Sequence, residues 1–322
     1  MINRRDGYWT SYHQAHTREL DFLVDKTVFL AKRNAPRTRR HARGRRKVHS
    51  DCKMRCICLL MVMLNATYRD MQGLVPYLNL PWDEPAPDHT TIARHFQRIP
   101  LGWLEEALAA TAQLCMAEDR WRDGICASDS TGVETDRYVR RRVPDKTRHG
   151  FAQKRARRHL KWHVTAILDP KVILCSQITS GSTGDSPVLR TMLGRIRRLG
   201  IPVRGSVFCA DRGYDSDENC RAVFGMGMIP HIKQRKNATN RGKRYRRQAG
   251  RMFDEEVYRY RGLVEGIFGA EEAEGHRLCC RYRKRSCQYR FGQMLSIGWN
   301  LEVLNRIECE KMMKNQVRAV QC

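Results

Sequence analysis

Two aspartates stand where apolar segments give way to small residues. Asp129 lies in ASDSTG after the apolar residues 125–127, and Asp211 lies in CADRGYDS after the apolar segment GSVFCA. The ends of buried strands are places where α/β sheets commonly present ligands, and small residues beyond them leave room for a bulky substrate backbone. A third acid, Glu265, follows Tyr258 and Arg261 at helical spacing, so the three side chains share one side of a helix.

Three converging carboxylates repel one another unless a cation neutralises them. Carboxylate oxygens are hard ligands that suit Mg²⁺ or Mn²⁺. Two such ions about 3.5–4 Å apart stabilise the attacking and leaving oxygens of phosphoryl transfer. We therefore expect Asp129, Asp211 and Glu265 to bind two divalent ions. Taken singly, each acid has a structural alternative: Asp129 as a turn or cap residue, Asp211 paired with Arg212, and Glu265 paired with Arg261.

From residue 123 onwards the sequence alternates between strand and helix patterns. Strands are predicted at 125–129, 163–168, 172–178, 205–211 and 228–233. Helices are predicted at 185–200, capped by Asp185 or Ser186, at 216–224, and from about 253 past 269. Residues 237–251 lack periodicity and are predicted to be a basic loop. This order predicts an α/β fold, in which helices cover a mixed sheet.

The first 122 residues have a different pattern. Residues 1–50 end in the basic stretch Lys32–Lys47 and are predicted to be a flexible arm or linker. Residues 51–122 have helical periodicity, and Thr90, Thr91 and Arg94 lie near the start of the third predicted helix, as in a helix-turn-helix DNA reader. We therefore expect a helical DNA-binding domain at 51–122, a catalytic domain at 123–310 and a tail at 311–322.

The charge balance indicates a polyanionic partner. The chain has 60 Lys and Arg against 34 Asp and Glu, a net charge of +26. The longest apolar run, Cys56–Leu64, is far shorter than the roughly 20 residues that span a bilayer. The N-terminus also lacks the apolar core of a signal peptide. We therefore expect a cytoplasmic, nucleoid-associated protein whose partner is DNA and not a membrane.

The 13 cysteines do not predict a disulfide scaffold, because their number is odd and no secretion signal is visible. Two groups lie close together in sequence, one formed by Cys52, Cys56 and Cys58 and the other by Cys279, Cys280 and Cys287. Neither group has the paired C-x-x-C spacing of zinc sites, so zinc is not expected.

Taken together, the acidic motifs resemble those of DDE transposases from prokaryotic insertion sequences. The resemblance rests on three ordered motifs: ASDSTG, then ADRGYDS, then Tyr258-x2-Arg261-x3-Glu265. PDHTTIARHF at 87–96 is similar to the segment upstream of the family's first aspartate, and WNLEVLNRI at 299–307 is similar to its C-terminal Asn-Leu helix. The similarity covers about residues 51–307.

The resemblance implies an RNase H-like core that depends on divalent metal ions and moves a mobile element. Such an enzyme cleaves double-stranded DNA at the element's terminal inverted repeats and transfers the strands to target DNA. The family pattern implies metal binding by Asp129, Asp211 and Glu265, and DNA contacts by Tyr258 and Arg261. Transposases generally work as dimers on paired ends, so a homodimer or larger assembly on DNA is expected.

Basic segments flank the predicted site. Arg137–Lys161 lies between the first two predicted strands, and Lys233–Arg247 precedes the last helix. Both are predicted to be loops that hold phosphates. Lys243 and Arg244 of the second segment, and Arg212 next to Asp211, are expected to contact DNA.

One position departs from the family pattern. The lysine often found seven residues after the glutamate is Glu272 here. Nearby arginines could supply the missing charge, or this copy could be inactive. Two alternatives to a transposase therefore remain open: an RNase H-like endonuclease that does not rejoin DNA, and a domesticated or inactive transposase that only binds DNA.

Overall fold

The computed structural model describes residues 8–33, 48–118, 124–145, 150–237, 239, 241–273 and 278–321. Its helices are α1 (Tyr8–Thr17), α2 (Glu19–Arg33), α3 (Asp51–Met63), α4 (Tyr68–Leu74), α5 (His89–Arg98), α6 (Leu101–Glu118), α7 (Asp185–Arg198), α8 (Asp217–Gly225), α9 (Arg244–Met252), α10 (Glu255–Arg259), α11 (Glu265–Ala273) and α12 (Arg285–Gln321). Its strands are β1 (Ile125–Asp145), β2 (Gly150–Ile167), β3 (Val172–Ser180), β4 (Val207–Ala210), β5 (Ile229–Ile232) and β6 (Cys279–Cys280).

The strands form one mixed sheet in the order β3-β2-β1-β4-β5, with β6 beside the middle of β1. β1, β2 and β3 pair in antiparallel fashion, whereas β4 and β5 run parallel to β1. Helix α7 packs on β2 and β3, and α6 and α12 pack on β3. The expected α/β fold, a mixed sheet flanked by helices and preceded by further helices, is confirmed.

The first two strands extend much farther than predicted. β1 pairs with β2 from Cys126 opposite Ile167 to Asp145 opposite Gly150, with an irregularity between Glu134 and Tyr138. The prediction that the first strand ends at Asp129, with a basic loop from 137 to 161, was therefore wrong. The hydrogen bonds between paired strands join backbone groups and not side chains. The extended β1–β2 pair can therefore form without the apolar alternation on which a strand prediction relies.

Two helices replace much of the predicted N-terminal arm. α2 packs against α3 and α12 and buries Phe22, Leu23 and Leu30. A flexible arm was the wrong prediction for residues 8–33, because these apolar side chains form a stripe that joins the core. Most of the basic stretch, at 34–47, lies outside the described residues.

Helix α12 ties the edge strand β3 to the helices. The Asn300 side chain accepts a hydrogen bond from Ile173 N at 2.8 Å, and it donates to Ile173 O at 2.8 Å and to Thr111 Oγ1 at 3.1 Å. Trp299 Nε1 donates to Lys171 O at 2.6 Å. Asn300 thus satisfies backbone groups that an edge strand leaves unpaired. The helix runs on to Gln321, so a separate tail from 311 was a wrong prediction.

Helix α9 occupies part of the predicted basic loop. Its inward residues are Ala249 and Arg246, and the Arg246 guanidinium makes two 2.7 Å contacts with the carboxylate of Asp215. Both partners of this ion pair are buried. The loop prediction was wrong from residue 244 onwards, because an arginine fills an inward position where periodicity analysis looks for an apolar side chain.

Most cysteines that the structure describes are buried, and all of them are free. Burial raises the pKa of the Cys56 thiol to about 11 and that of Cys126 to about 12, so these thiols stay protonated. No helix in the described ranges is both long and apolar enough to cross a membrane.

Candidate active site

Parallel pairing of β1 with β4 brings two of the predicted carboxylates onto neighbouring strands. The pairing ends with Ser128 opposite Ala210, and the next residues are Asp129 and Asp211. β4 stops there, whereas β1 continues along β2. The two aspartates therefore lie side by side where the parallel part of the sheet ends.

A local hydrogen bond fixes the carboxylate of Asp211. Its Oδ1 accepts from Gly213 N at 2.8 Å and so caps the short 3₁₀ turn Arg212–Tyr214. A Cβ on Gly213 would lie 2.9 Å from that oxygen, closer than real contacts allow. Glycine at this position therefore lets the turn fold tightly around Asp211.

The side chain of Asp129 is largely enclosed, with 17% of it exposed. Its Oδ1 accepts from Ser130 N at 2.9 Å, and its Oδ2 accepts from Arg261 Nη1 at 2.7 Å. Burial raises the pKa of the Asp129 carboxyl above its usual value, and the charge of Asp211 raises it further, while the bonds from Ser130 and Arg261 lower it. The net result is a raised pKa, because the loss of hydration outweighs the stabilisation that Ser130 and Arg261 give the ionised carboxylate.

Glu265 reaches this region through Arg261. The single helix predicted from about 253 past 269 is divided into α10, a 3₁₀ turn at Tyr260–Val264, and α11, which begins at Glu265. The three residues nevertheless lie close together, as the helical spacing predicted. Arg261 Nη2 lies 3.1 Å from Glu265 Oε1, and the Arg261 guanidinium lies 5.9 Å from the centre of the Tyr258 ring. One guanidinium thus contacts both Asp129 and Glu265, and Glu265 remains 62% exposed.

The three carboxylates supply the oxygen donors that Mg²⁺ and Mn²⁺ prefer. The raised pKa of Asp129 also marks negative charge that a cation would relieve. Within the part of the chain that the structure describes, however, no three His, Cys, Asp or Glu side chains are gathered closely enough to hold a metal ion. The donor types therefore fit a divalent cation, and Arg261 now balances the charge of Asp129 and Glu265.

The residues predicted to contact DNA are distributed between two regions. Tyr258 and Arg261 lie at the carboxylates, and Arg212 directly follows Asp211 with its side chain exposed. Lys243 and Arg244 lie exposed where α9 begins. These side chains belong to the sheet domain.

The second region is α5, which packs mainly on α3, α4 and α12. Asp88 caps this helix, and the hydroxyls of Thr90 and Thr91 donate to its carboxylate at 2.5 and 2.8 Å. Arg94 is exposed on the same helix. The structure thus does not bring Thr90, Thr91 and Arg94 together with the carboxylates on β1 and β4.

Asp185 is an acidic residue of this region that its sequence context does not single out. Gly184, and not Asp185 or Ser186, is the N-cap of α7, and it makes no side-chain cap. The Asp185 carboxylate instead accepts from Ser130 Oγ at 3.1 Å and from Lys161 Nζ at 3.0 Å. Aspartate at a helix start is usually a cap or a charge for the helix dipole, so the sequence alone carries no signal for this role.

Comparison with known proteins gives a family for the chain. The family described as "Transposase DDE domain" matches residues 120–301, which is more than half of the chain and includes all three predicted carboxylates. No curated protein matches it in sequence.

Several solved structures are similar over much of their length. One is a Mos1 transposase paired-end complex with left transposon end, with 11% identity and a TM-score of 0.25 over 76% of this chain and 85% of that chain. Another is a Mos1 mariner paired end complex with Mn, with 11% identity and a TM-score of 0.24 over 83% of this chain and 98% of that chain.

Proposed function

This chain belongs to the transposase DDE domain family, and we propose that it cleaves DNA strands at the ends of a mobile element and transfers them to target DNA with Asp129, Asp211 and Glu265. The observation that carries this proposal is the placement of Asp129 and Asp211 at the end of the β1–β4 pairing, with Arg261 linking Glu265 to Asp129. All three are acids, and their donor atoms suit Mg²⁺ or Mn²⁺.

The fold holds the carboxylates of Asp129 and Asp211 in fixed orientations. Backbone N–H groups of Ser130 and Gly213 bind one oxygen each of Asp129 and Asp211, so both side chains are oriented before any ligand arrives. Two bound divalent ions would supply positive charge for the attacking and leaving oxygens of the phosphodiester. Arg261 and Tyr258, which adjoin the carboxylates, are proposed to contact the DNA strand being cut.

Positive charge elsewhere is proposed to hold the rest of the DNA. The chain's net charge is +26, and Arg212, Lys243 and Arg244 are exposed on the sheet domain. Phosphate contacts by such residues fix the register of a duplex without reading its sequence. Thr90, Thr91 and Arg94 at the start of α5 are proposed to read the element's terminal repeats, in a dimer or larger assembly on paired ends.

The test uses the full chain, Mg²⁺ or Mn²⁺, and linear DNA that carries the sequences flanking its gene. We expect Asp129→Asn, Asp211→Asn and Glu265→Gln each to lower strand cleavage at least about a thousandfold while DNA affinity falls less than about threefold, because each change removes a proposed metal ligand and no DNA contact. Glu256→Gln is the matched control, since Glu256 is an exposed acid on α10. Chelation of the metal should stop the reaction.

The products separate the competing functions. Nicked ends together with strands joined to a second DNA molecule support transposition. Cleavage without joining would favour the endonuclease. Tight DNA binding with no cleavage in either metal would favour a domesticated or inactive transposase, and normal cleavage by any of the three variants would refute the assigned carboxylates.

A further inference from the structure

Asp185 lies at the point where helix α7 meets the strands that carry the candidate carboxylates. It is the first residue of α7, and its side chain is 21% exposed. Its oxygens contact side chains of β1 and β2 and do not cap α7. Asp185 lies at the start of a helix but binds side chains of the sheet, so helix capping does not explain its position.

Ser130 connects Asp185 to Asp129. The backbone N–H of Ser130 donates to Asp129 Oδ1 at 2.9 Å, and its hydroxyl donates to Asp185 Oδ1 at 3.1 Å. The two donors belong to one residue, so the position of Asp185 restrains the backbone group that orients Asp129.

Asp185 also adjoins the second strand end. A Cβ built on Gly213 would lie 3.3 Å from Asp185 Oδ2 and 2.9 Å from Asp211 Oδ1, so both carboxylates face the same small space. Asp185 therefore touches the residue after Asp129 and lies beside the turn that follows Asp211.

Lys161 forms an ion pair with Asp185 and holds its carboxylate in place. Its Nζ lies 3.0 Å from Oδ1 and 3.4 Å from Oδ2 of Asp185, and it also donates to Thr183 O at 3.3 Å. His163 Nδ1 lies 3.5 Å from the same carboxylate, but this ring is neutral at pH 7 because burial lowers its pKa to about 4. With Lys161 as its counter-ion, Asp185 can act as a hydrogen-bond acceptor.

We propose that Asp185, held by Lys161, is a positioning residue that fixes Ser130 and thereby the orientation of Asp129. The inference rests on the proposed function, because it treats Asp129 as a catalytic carboxylate. Residues that orient metal-binding side chains typically change metal affinity or activity by about 10- to 100-fold when they are removed.

The experiment measures single-turnover DNA cleavage by the full chain as a function of Mn²⁺ concentration. Asp185→Ala and Ser130→Ala are each expected to slow cleavage by about 10- to 100-fold and to raise the Mn²⁺ concentration for half-maximal rate, with DNA affinity unchanged. Asp185→Asn keeps an acceptor for Ser130 and should recover part of the rate. The double variant should be no slower than the slower single variant, because both changes break one contact.

Glu218→Gln is the control, since it removes an exposed acid from the first turn of the neighbouring helix α8. Cleavage by Ser130→Ala at the wild-type rate and Mn²⁺ requirement would overturn the proposal, even if Asp185→Ala failed to fold. Additive losses in the double variant would overturn it as well. Wild-type protein that cleaves no DNA would remove the proposed function itself, so the two failures are distinguishable.

Discussion

Replacing Arg261 with glutamine removes the positive charge that contacts both Asp129 and Glu265. Its nitrogens lie 2.7 Å from Asp129 Oδ2 and 3.1 Å from Glu265 Oε1. A Mn²⁺ or Mg²⁺ ion bound to Asp129 Oδ2 at about 2.1 Å would lie within about 5 Å of Arg261 Nη1. Two positive groups would then compete for one carboxylate, so Arg261 should weaken metal binding in the absence of DNA.

The size of this effect follows from Coulomb's law. A divalent ion and a guanidinium about 5 Å apart repel by about 2 kcal/mol even at the dielectric constant of water, and by more where solvent is partly excluded. If the arginine swings away instead, it loses the two contacts, so part of the cost remains. Since 1.4 kcal/mol corresponds to a factor of ten, Arg261→Gln should tighten Mn²⁺ binding about tenfold or more.

The assay is a titration of DNA-free protein with Mn²⁺, with the free ion followed by electron paramagnetic resonance. Arg259→Gln is the matched control, because Arg259 is an exposed arginine two residues away. Unchanged affinity in Arg261→Gln would refute the competition. Equal tightening by Arg259→Gln would show that general charge, and not the contact with Asp129, is responsible.

Three further results follow from packing and burial. Gly213→Ala should lower strand cleavage about tenfold or more, with little change in melting temperature, because the added Cβ would lie 2.9 Å from Asp211 Oδ1. The pKa of His163 is about 4 in the folded protein, against an ordinary value of 6.5. As pH falls, the His163 ring therefore takes up a proton in the unfolded chain at a higher pH than in the folded protein. The free energy of unfolding should drop by up to about 3 kcal/mol between pH 6.5 and 4, and His163→Gln should lose that part of the dependence in urea titrations. Arg246→Gln should cost about 3–5 kcal/mol in the same titrations, because it leaves Asp215 buried without its partner.

The predictable parts of the fold are the elements that bury one face, because burial requires regularly spaced apolar residues in the sequence. The predicted strand at 205–211 is β4 (Val207–Ala210), and the predicted helix at 185–200 is α7 (Asp185–Arg198). The two strands joined at 169–171 are the inner part of the β2–β3 hairpin. In each, apolar side chains must face the core, so their spacing reveals the element.

The parts that were not predictable depend on backbone pairing or on polar packing. The distal β1–β2 ribbon is defined by its ladder, and α9 turns Arg246 inward onto Asp215. Neither arrangement produces apolar periodicity. The contact of Asp185 with Ser130 joins residues 55 positions apart, and a single sequence gives no indication of such a pair.

The three proposed carboxylates differ in how firmly the fold holds them. Asp129 lies within β1 and Asp211 directly follows β4, both just beyond the buried parallel pairing, and backbone N–H groups bind one oxygen of each. Glu265 begins α11 after a 3₁₀ turn, is 62% exposed, and is tied to Asp129 through Arg261. The core therefore sets the geometry of the aspartate pair, whereas the orientation of the exposed Glu265 side chain depends on its ion pair with Arg261. Loss of the Arg261 side chain should consequently displace the side chain of Glu265 more than those of Asp129 and Asp211.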